Sequence, residues 1–236
     1  MDKINLCIDI GNTSSKAALF ADNKEVDYIK PFSANHLVEL RKQYELNILV
    51  SKTGTNPELE SMLDERHFLS HDTPLPIQLD YATPHTLGRD RIATAVGAYC
   101  MDPKATWLII DLGTCLTIDI LADGVFQGGL ISPGVQMRFQ AMHEFTAGLP
   151  LVKGDYTSTF PGKTTEESMQ VGVSTSIGYE IEGYIREVNK RFDRVNIVDC
   201  SSRNIDFAFE VKNEIFARPK LVVEGLNQII EYNAKK

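Results

Sequence analysis

A short acidic segment near the amino terminus carries residue types that can bind phosphate. Asp9 follows one apolar run, Gly11 and Thr13 come shortly after it, and Lys16 opens a second apolar run. If the two runs pair as a β-hairpin, the turn gathers a carboxylate, backbone N–H groups and an ammonium group in one place. Such a set can hold the phosphates of a nucleotide together with a metal ion. The spacing therefore predicts a phosphate site at this turn.

A second copy of this pattern lies near the middle of the chain. The segment Ile8–Asp22 aligns with Ile110–Asp123 when one residue is omitted from the turn, and Thr114 then lies in the second turn. If the two turns face each other, Asp9 and Asp111 form opposed carboxylates, and a nucleotide–Mg²⁺ complex supplies a cation that keeps them ionised. Asp-x-Gly is also a common turn composition, so one copy alone would be weak support for a site. Two copies between matching strand patterns favour a functional cleft.

A third group of polar residues stands just before a predicted helix. It comprises Tyr81 and the segment Gly88–Arg91, in which Arg89 and Arg91 flank Asp90. Asp90 can act simply as a helix cap. Alternatively, Asp90 accepts the proton of a substrate hydroxyl that attacks a γ-phosphate, while Arg91 binds an anionic group of the substrate through paired hydrogen bonds. The residue types alone leave both interpretations open.

Alternating strand and helix patterns must position these groups. Apolar residues spaced three and four apart predict a helix over residues 89–101, and similar patterns predict helices over residues 35–44, 136–145 and 165–191. Strand patterns lie before and after both acidic turns. This order predicts an α/β fold with mixed sheets.

The internal repeat indicates that the same α/β unit occurs twice. We therefore predict two domains, each a mixed β-sheet flanked by helices, with a cleft between them. The polar segment after the predicted helix 89–101 is the expected boundary, which gives domains of residues 1–104 and 105–236. Each half is long enough to bury a core of its own.

Composition argues against some classes of protein. The 236 residues carry a formal net charge of −8, whereas nucleic-acid surfaces are normally basic. No apolar run approaches the roughly 18–20 residues that a membrane span requires. The four cysteines show neither metal-binding nor disulfide spacing, so we expect buried thiols and a reducing, cytoplasmic location.

Taken in order along the chain, these motifs resemble those of the type III pantothenate kinases. That family belongs to the actin/Hsp70/sugar-kinase superfamily of duplicated ribonuclease-H-like (actin-like ATPase) domains. The resemblance covers nearly the whole chain, and the Gly-x-Asp-Arg element with its upstream tyrosine is its most specific part. The motifs that carry it are Asp9-x-Gly-Asn-Thr-x-x-Lys16, Tyr81-x-x-Pro-x-x-Leu-Gly-x-Asp-Arg91, Asp111-x-Gly-Thr114, Gly129-Leu-Ile-Ser-Pro-Gly134, Thr146-Ala-Gly-Leu-Pro150, Lys163-Thr-Thr165-Glu-Glu-Ser and Pro219-Lys-Leu-Val-Val-Glu-Gly225-Leu.

The resemblance implies ATP-dependent phosphorylation of the primary hydroxyl of pantothenate, the first step of coenzyme A biosynthesis. It implies that Asp90 is the catalytic base and that Thr114 contacts ATP. The residues it assigns to the ATP phosphates are Asp9, Ile10, Gly11, Asn12, Thr13, Ser14, Ser15 and Lys16. The residues it assigns to pantothenate are Tyr81, Gly88, Arg89, Asp90, Arg91 and Thr165.

The resemblance also implies cofactors and a partner. ATP acts with Mg²⁺, and Asp111 is implied to be a ligand of a monovalent cation, K⁺ or NH₄⁺. Thr165 matches a threonine that, in this family, reaches the substrate pocket of a partner subunit. A homodimer is therefore implied, and neither a nucleic-acid nor a membrane partner is expected.

One segment departs from the family pattern and leaves alternatives open. Val198–Arg203 stands where the family often has Thr-Gly-Gly, whose glycines allow close approach to the adenosine. The departure is compatible with a nucleotide-binding regulatory protein that has lost turnover. Another small-molecule kinase or a polyphosphatase of the superfamily would share Asp9 and Asp111 but would not need Tyr81 and Asp90.

Overall fold

Strands and helices alternate along the parts of the chain that the structure, a computed structural model, describes, namely residues 3–152, 159–201 and 213–235. The first half of these residues forms β1 (Lys3–Ile10), β2 (Ser15–Ala21), β3 (Lys24–Ile29), α1 (Ala34–Gln43), β4 (Glu45–Lys52), α2 (Pro57–Glu60), β5 (Gln78–Leu79) and α3 (Arg89–Met101). The second half forms β6 (Thr106–Leu112), β7 (Cys115–Ala122), β8 (Val125–Pro133), α4 (Val135–Glu144), α5 (Thr165–Asn189), β9 (Val195–Asp199), β10 (Ile215–Ala217) and α6 (Leu221–Ala234).

The first sheet has the strand order β3-β2-β1-β4. β2 runs antiparallel to β1 and β3, whereas β4 runs parallel to β1. Along β1, Leu6, Ile8 and Ile10 face the core that contains α1, while Cys7 faces the core on the other side. Successive side chains of a strand point to opposite faces. Because β1 is apolar on both faces, it lies in the interior of the sheet, where both faces are covered.

The second sheet repeats this arrangement. Its order is β10-β9-β6-β7-β8-β5, and within it β8-β7-β6-β9 has the same strand directions as the first sheet. The outer hairpin turns also correspond, because Asp22 and Asn23 have φ values of 49° and 62°, and Asp123 and Gly124 have 52° and 70°. Left-handed residue pairs suit two-residue hairpins. The predicted α/β fold with a duplicated mixed-sheet unit is confirmed.

Two helices connect the halves. α3 and α6 pack against each other, and their apolar side chains join one cluster with Trp107 of β6. Although α6 ends the chain, it packs on β1 of the first sheet, where Asn227 accepts a hydrogen bond from Asn5 at 2.9 Å and donates one to Asn23 at 2.6 Å. The two sheets follow the two halves of the sequence, except that β5 joins the second sheet. The boundary between residues 104 and 105 stays a prediction.

The helices expected from apolar spacing are found as α1, α3, α4 and α5, with differences of at most a few residues at their ends. Part of the polar loop that precedes α5 lies outside the described residues. Within the described ranges, no helix combines the length and the apolarity needed to span a membrane.

Candidate active site

The two acidic turns meet between the sheets. Asp9 is the penultimate residue of β1 and Asp111 is the penultimate residue of β6, so each carboxylate stands where its strand passes into a turn. The turns touch, because the hydroxyl oxygens of Thr13 and Thr114 are 3.3 Å apart. A cavity of about 330 Å³ lies beside them, and its lining includes Asp9, Tyr81, Asp90, Arg91, Asp111 and Thr114. The three predicted groups of polar residues therefore surround one cavity.

Each acidic turn is braced by a glycine from another segment. A Cβ on Gly54 would lie 2.2 Å from the carbonyl oxygen of Gly11, and a Cβ on Gly134 would lie 2.3 Å from the carbonyl oxygen of Gly113. Only a residue without a side chain permits such close approach. The backbone of both turns is therefore held tightly, as a phosphate site made of backbone N–H groups requires.

The residues of the first turn differ in what they offer to a ligand. The side chain of Ile10 is buried in the core, and its carbonyl oxygen accepts a hydrogen bond from the backbone N–H of Gly54 at 2.9 Å. Ser15 is also buried, and its hydroxyl accepts a hydrogen bond from Asn56 at 3.1 Å. Asn12 lines the 330 Å³ cavity. Ile10 can therefore take part in phosphate binding only through its backbone.

A second cavity of about 670 Å³ opens beside the same turns. Thr13 and Ser14 of the first turn line it, together with residues of α4. Gly113 and Thr114 line both cavities, so the two spaces adjoin at the second acidic turn. Two ligands, one in each cavity, would approach each other there.

The Asp9 carboxylate is buried, and its two oxygens have different surroundings. Oδ2 lies 3.3 Å from the Lys16 ammonium, whereas Oδ1 has no hydrogen-bond partner among the described residues. Burial acts to lower the pKa of Lys16, but Asp9 and Asp111 act in the other direction and the net effect is a raised pKa, so the ammonium stays charged. A buried, unpaired carboxylate oxygen is a suitable ligand for a hard cation or for its bound water.

Asp111 lies among other carboxyl groups. Burial raises its pKa to about 7, against the opposing effect of the Lys16 ammonium, and the nearby Asp90, Asp9 and Asp199 contribute to the rise. Two carboxylates that share a low-dielectric site cannot both ionise easily. Ionisation of Asp111 near neutral pH is therefore favoured by a bound cation.

The cleft can hold a metal ion only with ligands from elsewhere. Among the described residues, no three or more His, Cys, Asp or Glu side chains are arranged as a metal site. Asp9 and Asp111 can each offer carboxylate oxygens, and a hard cation would complete its shell with phosphate oxygens and water. The donor atoms thus fit a cation that arrives with a phosphate ligand.

Asp90 lies in the first turn of α3, after the N-cap residue Gly88. Its Oδ1 accepts a hydrogen bond from the backbone N–H of Arg91 at 2.8 Å. Burial raises the pKa of Asp90, this hydrogen bond opposes the rise, and Asp9 adds to it. A carboxylate with a raised pKa is a better proton acceptor. The helix-end hydrogen bond uses only one oxygen, so both interpretations of Asp90 are compatible with the geometry.

Arg91 is paired with a residue that the sequence analysis missed. Its Nε donates to Asp119, 2.9 Å from Oδ2 and 3.1 Å from Oδ1, and its Nη2 donates to the same carboxylate. The guanidinium also lies 5.9 Å from the ring centroid of Tyr81 and 5.7 Å from that of Phe126. A signal for Asp119 was present, because it is the one charged residue in the apolar run Leu116–Ala122 and a buried charge needs a partner.

Two predicted substrate residues are not among those that line the 330 Å³ cavity. Arg89 donates to the carbonyl oxygens of Pro84 and His85 at 3.3 and 3.2 Å, which ties the preceding loop to α3. Thr165 begins α5 and lines a separate cavity together with Lys163. Within one chain, the structure does not bring these two side chains to the other predicted substrate residues.

The segment Val198–Arg203 is described only as far as Ser201. The Ser201 hydroxyl accepts a hydrogen bond from the backbone N–H of Leu112 at 2.8 Å, and its own N–H donates to Asp199 at 2.9 Å. The end of β9 is thereby joined to the strand that carries Asp111. The last two residues of the segment lie outside the described part of the chain.

The fold is that of the actin-like ATPases and sugar kinases, as comparison with solved structures indicates. A putative 2-dehydro-3-deoxygalactonokinase from Sinorhizobium meliloti superposes with a TM-score of 0.60 at 13% identity, over 97% of this chain and 99% of that one. A putative Baf family transcriptional activator from Campylobacter jejuni gives a TM-score of 0.57 at 18% identity, over 98% and 100%. At these identities the likeness establishes the fold alone.

Sequence comparison defines the family within this class. A family profile described as type III pantothenate kinase matches residues 5–187. A type III pantothenate kinase from Cytophaga hutchinsonii is 38% identical over 98% of this chain and 100% of its own length. Another from Phocaeicola vulgatus is 36% identical over 98% and 100%. The chain belongs to the type III pantothenate kinase family, and the resemblance seen in its motifs is confirmed.

Proposed function

We propose that the protein transfers the γ-phosphoryl group of ATP to the primary hydroxyl of pantothenate and so forms 4′-phosphopantothenate, the first step of coenzyme A biosynthesis. Membership of the family supports this reaction. One observation carries the mechanism: the cavity that Asp90 lines is also lined by both acidic turns. In-line phosphoryl transfer needs the acceptor and the phosphate held side by side, because positioning and charge neutralisation supply most of the catalysis.

Pantothenate occupies the 330 Å³ cavity in this proposal. Its carboxylate binds the Arg91 guanidinium where this group lines the cavity near Tyr81, and its primary hydroxyl donates to Asp90, which accepts the proton as the oxygen attacks phosphorus. Gly88 leaves the space for this arrangement, since a Cβ there would lie 2.6 Å from the Asp90 Oδ1 atom. Arg89 acts by holding the loop before α3.

ATP spans the junction of the two cavities. Its terminal phosphates lie along the backbone of the Asp9–Lys16 turn and against Thr114, with the Lys16 ammonium balancing their charge. The rest of the nucleotide extends into the 670 Å³ cavity, which is large enough for it and is lined by Thr13 and Ser14 of the same turn. The γ-phosphate then lies beside the acceptor hydroxyl at the junction.

Two cations complete the proposed site. Mg²⁺ is held mainly by the ATP phosphates, with the unpaired Asp9 Oδ1 as the ligand or hydrogen-bond acceptor that the protein supplies. A monovalent cation, K⁺ or NH₄⁺, binds at Asp111, whose raised pKa is what burial of an uncompensated carboxylate produces. Bound cations neutralise the negative charge that phosphates and carboxylates bring into the cleft.

We propose a homodimer formed through the second half of the chain. A surface on β8, α4, α5 and the segment before α5 carries large exposed apolar side chains, which are Ile131, Met137, Phe145, Phe160, Tyr179 and Tyr184. Phe160 and Tyr179 line one cavity, and Met137 and Phe145 line another, and such groups of exposed apolar side chains are typical of protein interfaces. Thr165, at the start of α5, belongs to the same region. It would contribute to the acceptor site of the other subunit.

Two further proposals concern the cellular location of the protein and the division of its chain into domains. All four cysteines are free thiols, which supports a cytoplasmic location, but the expectation that they are buried holds only for Cys7 and Cys200, since Cys100 is exposed and Cys115 is half-buried. Residues 1–104 and 105–236 are the proposed domains, each with its own sheet, and α6 is an arm of the second domain that packs on the first.

A second candidate is a regulatory protein that binds nucleotide without turnover. The absence of the glycine pair in Val198–Arg203 favours it, because glycines allow a closer approach of the backbone to a nucleoside than other residues do. The kinase is favoured because Asp90 and both acidic turns line one cavity.

A coupled assay of ADP release tests the proposed function. Purified protein with ATP, Mg²⁺ and K⁺ should release ADP when pantothenate is added and not with sugars or other hydroxyl acceptors. Replacement of K⁺ by Na⁺ should lower the rate. ATP binding without pantothenate-dependent release of ADP would instead support the regulatory protein.

A further inference from the structure

Asp119 is a buried acidic residue that no step of the proposed reaction uses. It lies in β7 with only 1% of its surface exposed. The strand register places it between Ile109 of β6 and Gly129 of β8, and the β7–β8 register shifts just after it, between Asp119 and Leu121. Burial raises its pKa to about 6 even though hydrogen bonding from Arg91 opposes the rise. Burying a charged carboxylate in the middle of a sheet costs free energy, and a partner of opposite charge must offset this cost.

The pairing fixes the orientation of a guanidinium group. Arg91 meets Asp119 side-on through Nε and Nη2, which leaves the other terminal nitrogen, Nη1, outside the pair. Two parallel N–H···O bonds set both the position and the rotation of the planar group. The rings of Tyr81 and Phe126 lie against it. Because Arg91 also lines the 330 Å³ cavity, its guanidinium has a fixed orientation at the acceptor site.

The neighbouring strand is shaped to admit the pair. A Cβ on Gly129 would lie 2.3 Å from the Asp119 Oδ1 atom and 2.1 Å from the carbonyl oxygen of Ile118. Any side chain at this position would displace the carboxylate that Arg91 contacts. The position of Asp119 is therefore defined from β8 as well as from α3.

On the basis of the proposed function, we propose that Asp119 is a positioning residue that holds the Arg91 guanidinium in one orientation beside Tyr81 in the acceptor cavity, and thereby sets the preference for an acceptor that carries a carboxylate. Without Asp119, the guanidinium has more than one orientation in the cavity. An acceptor carboxylate would then have to order it on binding, which weakens binding. The attacking hydroxyl and Asp90 lie at the other end of the acceptor, so the chemical step is affected less.

The test compares Asp119→Asn with the wild type, using pantothenate and pantothenol, the analogue in which an alcohol replaces the carboxylate. We expect the KM for pantothenate to rise about tenfold or more, with kcat and the KM for ATP changed less than about threefold. The ratio of kcat/KM for pantothenate to that for pantothenol should fall by a similar factor. Asp123→Asn is the matched control, because Asp123 lies in the β7–β8 turn, is exposed and has a φ of 52°, which asparagine tolerates.

Asp119→Glu keeps the negative charge but shifts it by one methylene group, and this variant tests the positioning role if Asp119→Asn does not fold. Its ratio of kcat/KM for pantothenate to that for pantothenol should lie between the ratios of the wild type and of Asp119→Asn. An unchanged acceptor ratio in a folded variant, or an equal loss of kcat/KM with both acceptors, would overturn the positioning role. Titration calorimetry with pantothenate gives a readout independent of turnover. Wild-type protein that binds pantothenate without phosphorylating it would contradict the proposed function, while weaker binding by the variant would still support Asp119.

Discussion

At the scale of single residues, the cleft combines buried carboxyl groups with few compensating charges. The pKa of Asp111 is raised to about 7, and that of Asp90 is raised above its usual value, in both cases chiefly by burial. Lys16 is the ammonium group that stands between the two acidic turns. The same burial therefore makes Asp90 a better proton acceptor and makes Asp111 dependent on a cation for its charge.

Replacement of Asp90 by Asn tests the general base. We expect Asp90→Asn to lower kcat by about 10² or more, since the hydroxyl proton then has no acceptor. The affinity for ATP should be unchanged, which equilibrium binding of nucleotide measures, and Asp123→Asn provides a control with wild-type kcat. A kcat close to that of the wild type would remove Asp90 from the role of base.

The raised pKa of Asp111 has a consequence for stability. The folded-state pKa of about 7 lies above the unfolded-state value of 3.8, so between these values the folded protein binds more protons than the unfolded chain. The free energy of unfolding therefore falls as the pH rises from about 4 to about 7. In K⁺-free buffer we expect Tm to fall between pH 5 and pH 8, and less steeply for Asp111→Asn. An equal fall of Tm with pH in the wild type and in Asp111→Asn would contradict a raised pKa at Asp111.

At the scale of secondary structure, the contact between α3 and α6 sets the distance between the halves of the molecule. A Cβ on Gly225 would lie 1.8 Å from the carbonyl oxygen of Ala93, so the two helices touch backbone to backbone at this point. Both helices contribute to the apolar cluster that reaches β6. The width of the cleft depends on this contact, because α3 begins with the residues of the acceptor site.

Alanine substitutions at two helical glycines distinguish the effect of the α3–α6 contact on the free energy of unfolding from the effect of helix propensity. Gly225→Ala should lower the free energy of unfolding by about 2 kcal/mol, because the added methyl forces the helices apart. Gly183→Ala in α5, where a Cβ meets no atom within 4 Å, should raise it by about 0.5–1 kcal/mol. Urea unfolding measures both changes. A neutral or stabilising effect at position 225 would show that α3 and α6 can separate without cost.

Local sequence patterns predicted some elements well and others poorly. The helix predicted over residues 89–101 is α3, although its middle turns, residues 91–98, are buried on every side and not on one face only. Asn56 and Pro57 stand at the start of the short helix α2, in which the Asn56 side chain accepts a hydrogen bond from the backbone N–H of Leu59, but α2 ends at Glu60 and its four residues are too few to show a helical repeat in the sequence. Packing of α6 on β1 joins opposite ends of the sequence, and no local pattern encodes it.

The candidate site was predictable where its residues belong to local sequence motifs, and not where it depends on contacts between distant segments. Asp9 and Asp111 could be found because the repeat places them in equivalent turns, and Asp90 because it stands beside a helix start. The pairing of Arg91 with Asp119 could not be found from spacing, because α3 and β7 meet only in the folded chain. The placement of Thr165 in a separate cavity was likewise beyond local patterns.

At the scale of the whole molecule, the exposed apolar surface on α4 and α5 predicts self-association. Tyr179→Glu places a charge on this surface and should weaken the dimer about tenfold or more, as expected for a tyrosine at an interface. Val38→Glu, on the exposed face of α1, introduces the same charge in a helix away from the surface and should leave association unchanged. Sedimentation velocity over a range of concentrations measures both. A monomeric wild type would contradict the proposed dimer.

The position of α6 also bears on how the protein is made. The ribosome releases the first sheet long before the helix that covers it, because Leu221–Ala234 lies far downstream of β1–β4 in the sequence. Until then, the apolar faces of α3 and of β1 lack their partner, and the nascent chain leaves them exposed to solvent. We expect the first sheet to complete its folding only after α6 has been synthesised, rather than as an independent half. Chaperones that bind apolar segments of a nascent chain would therefore have their longest contact with the part of the protein made first.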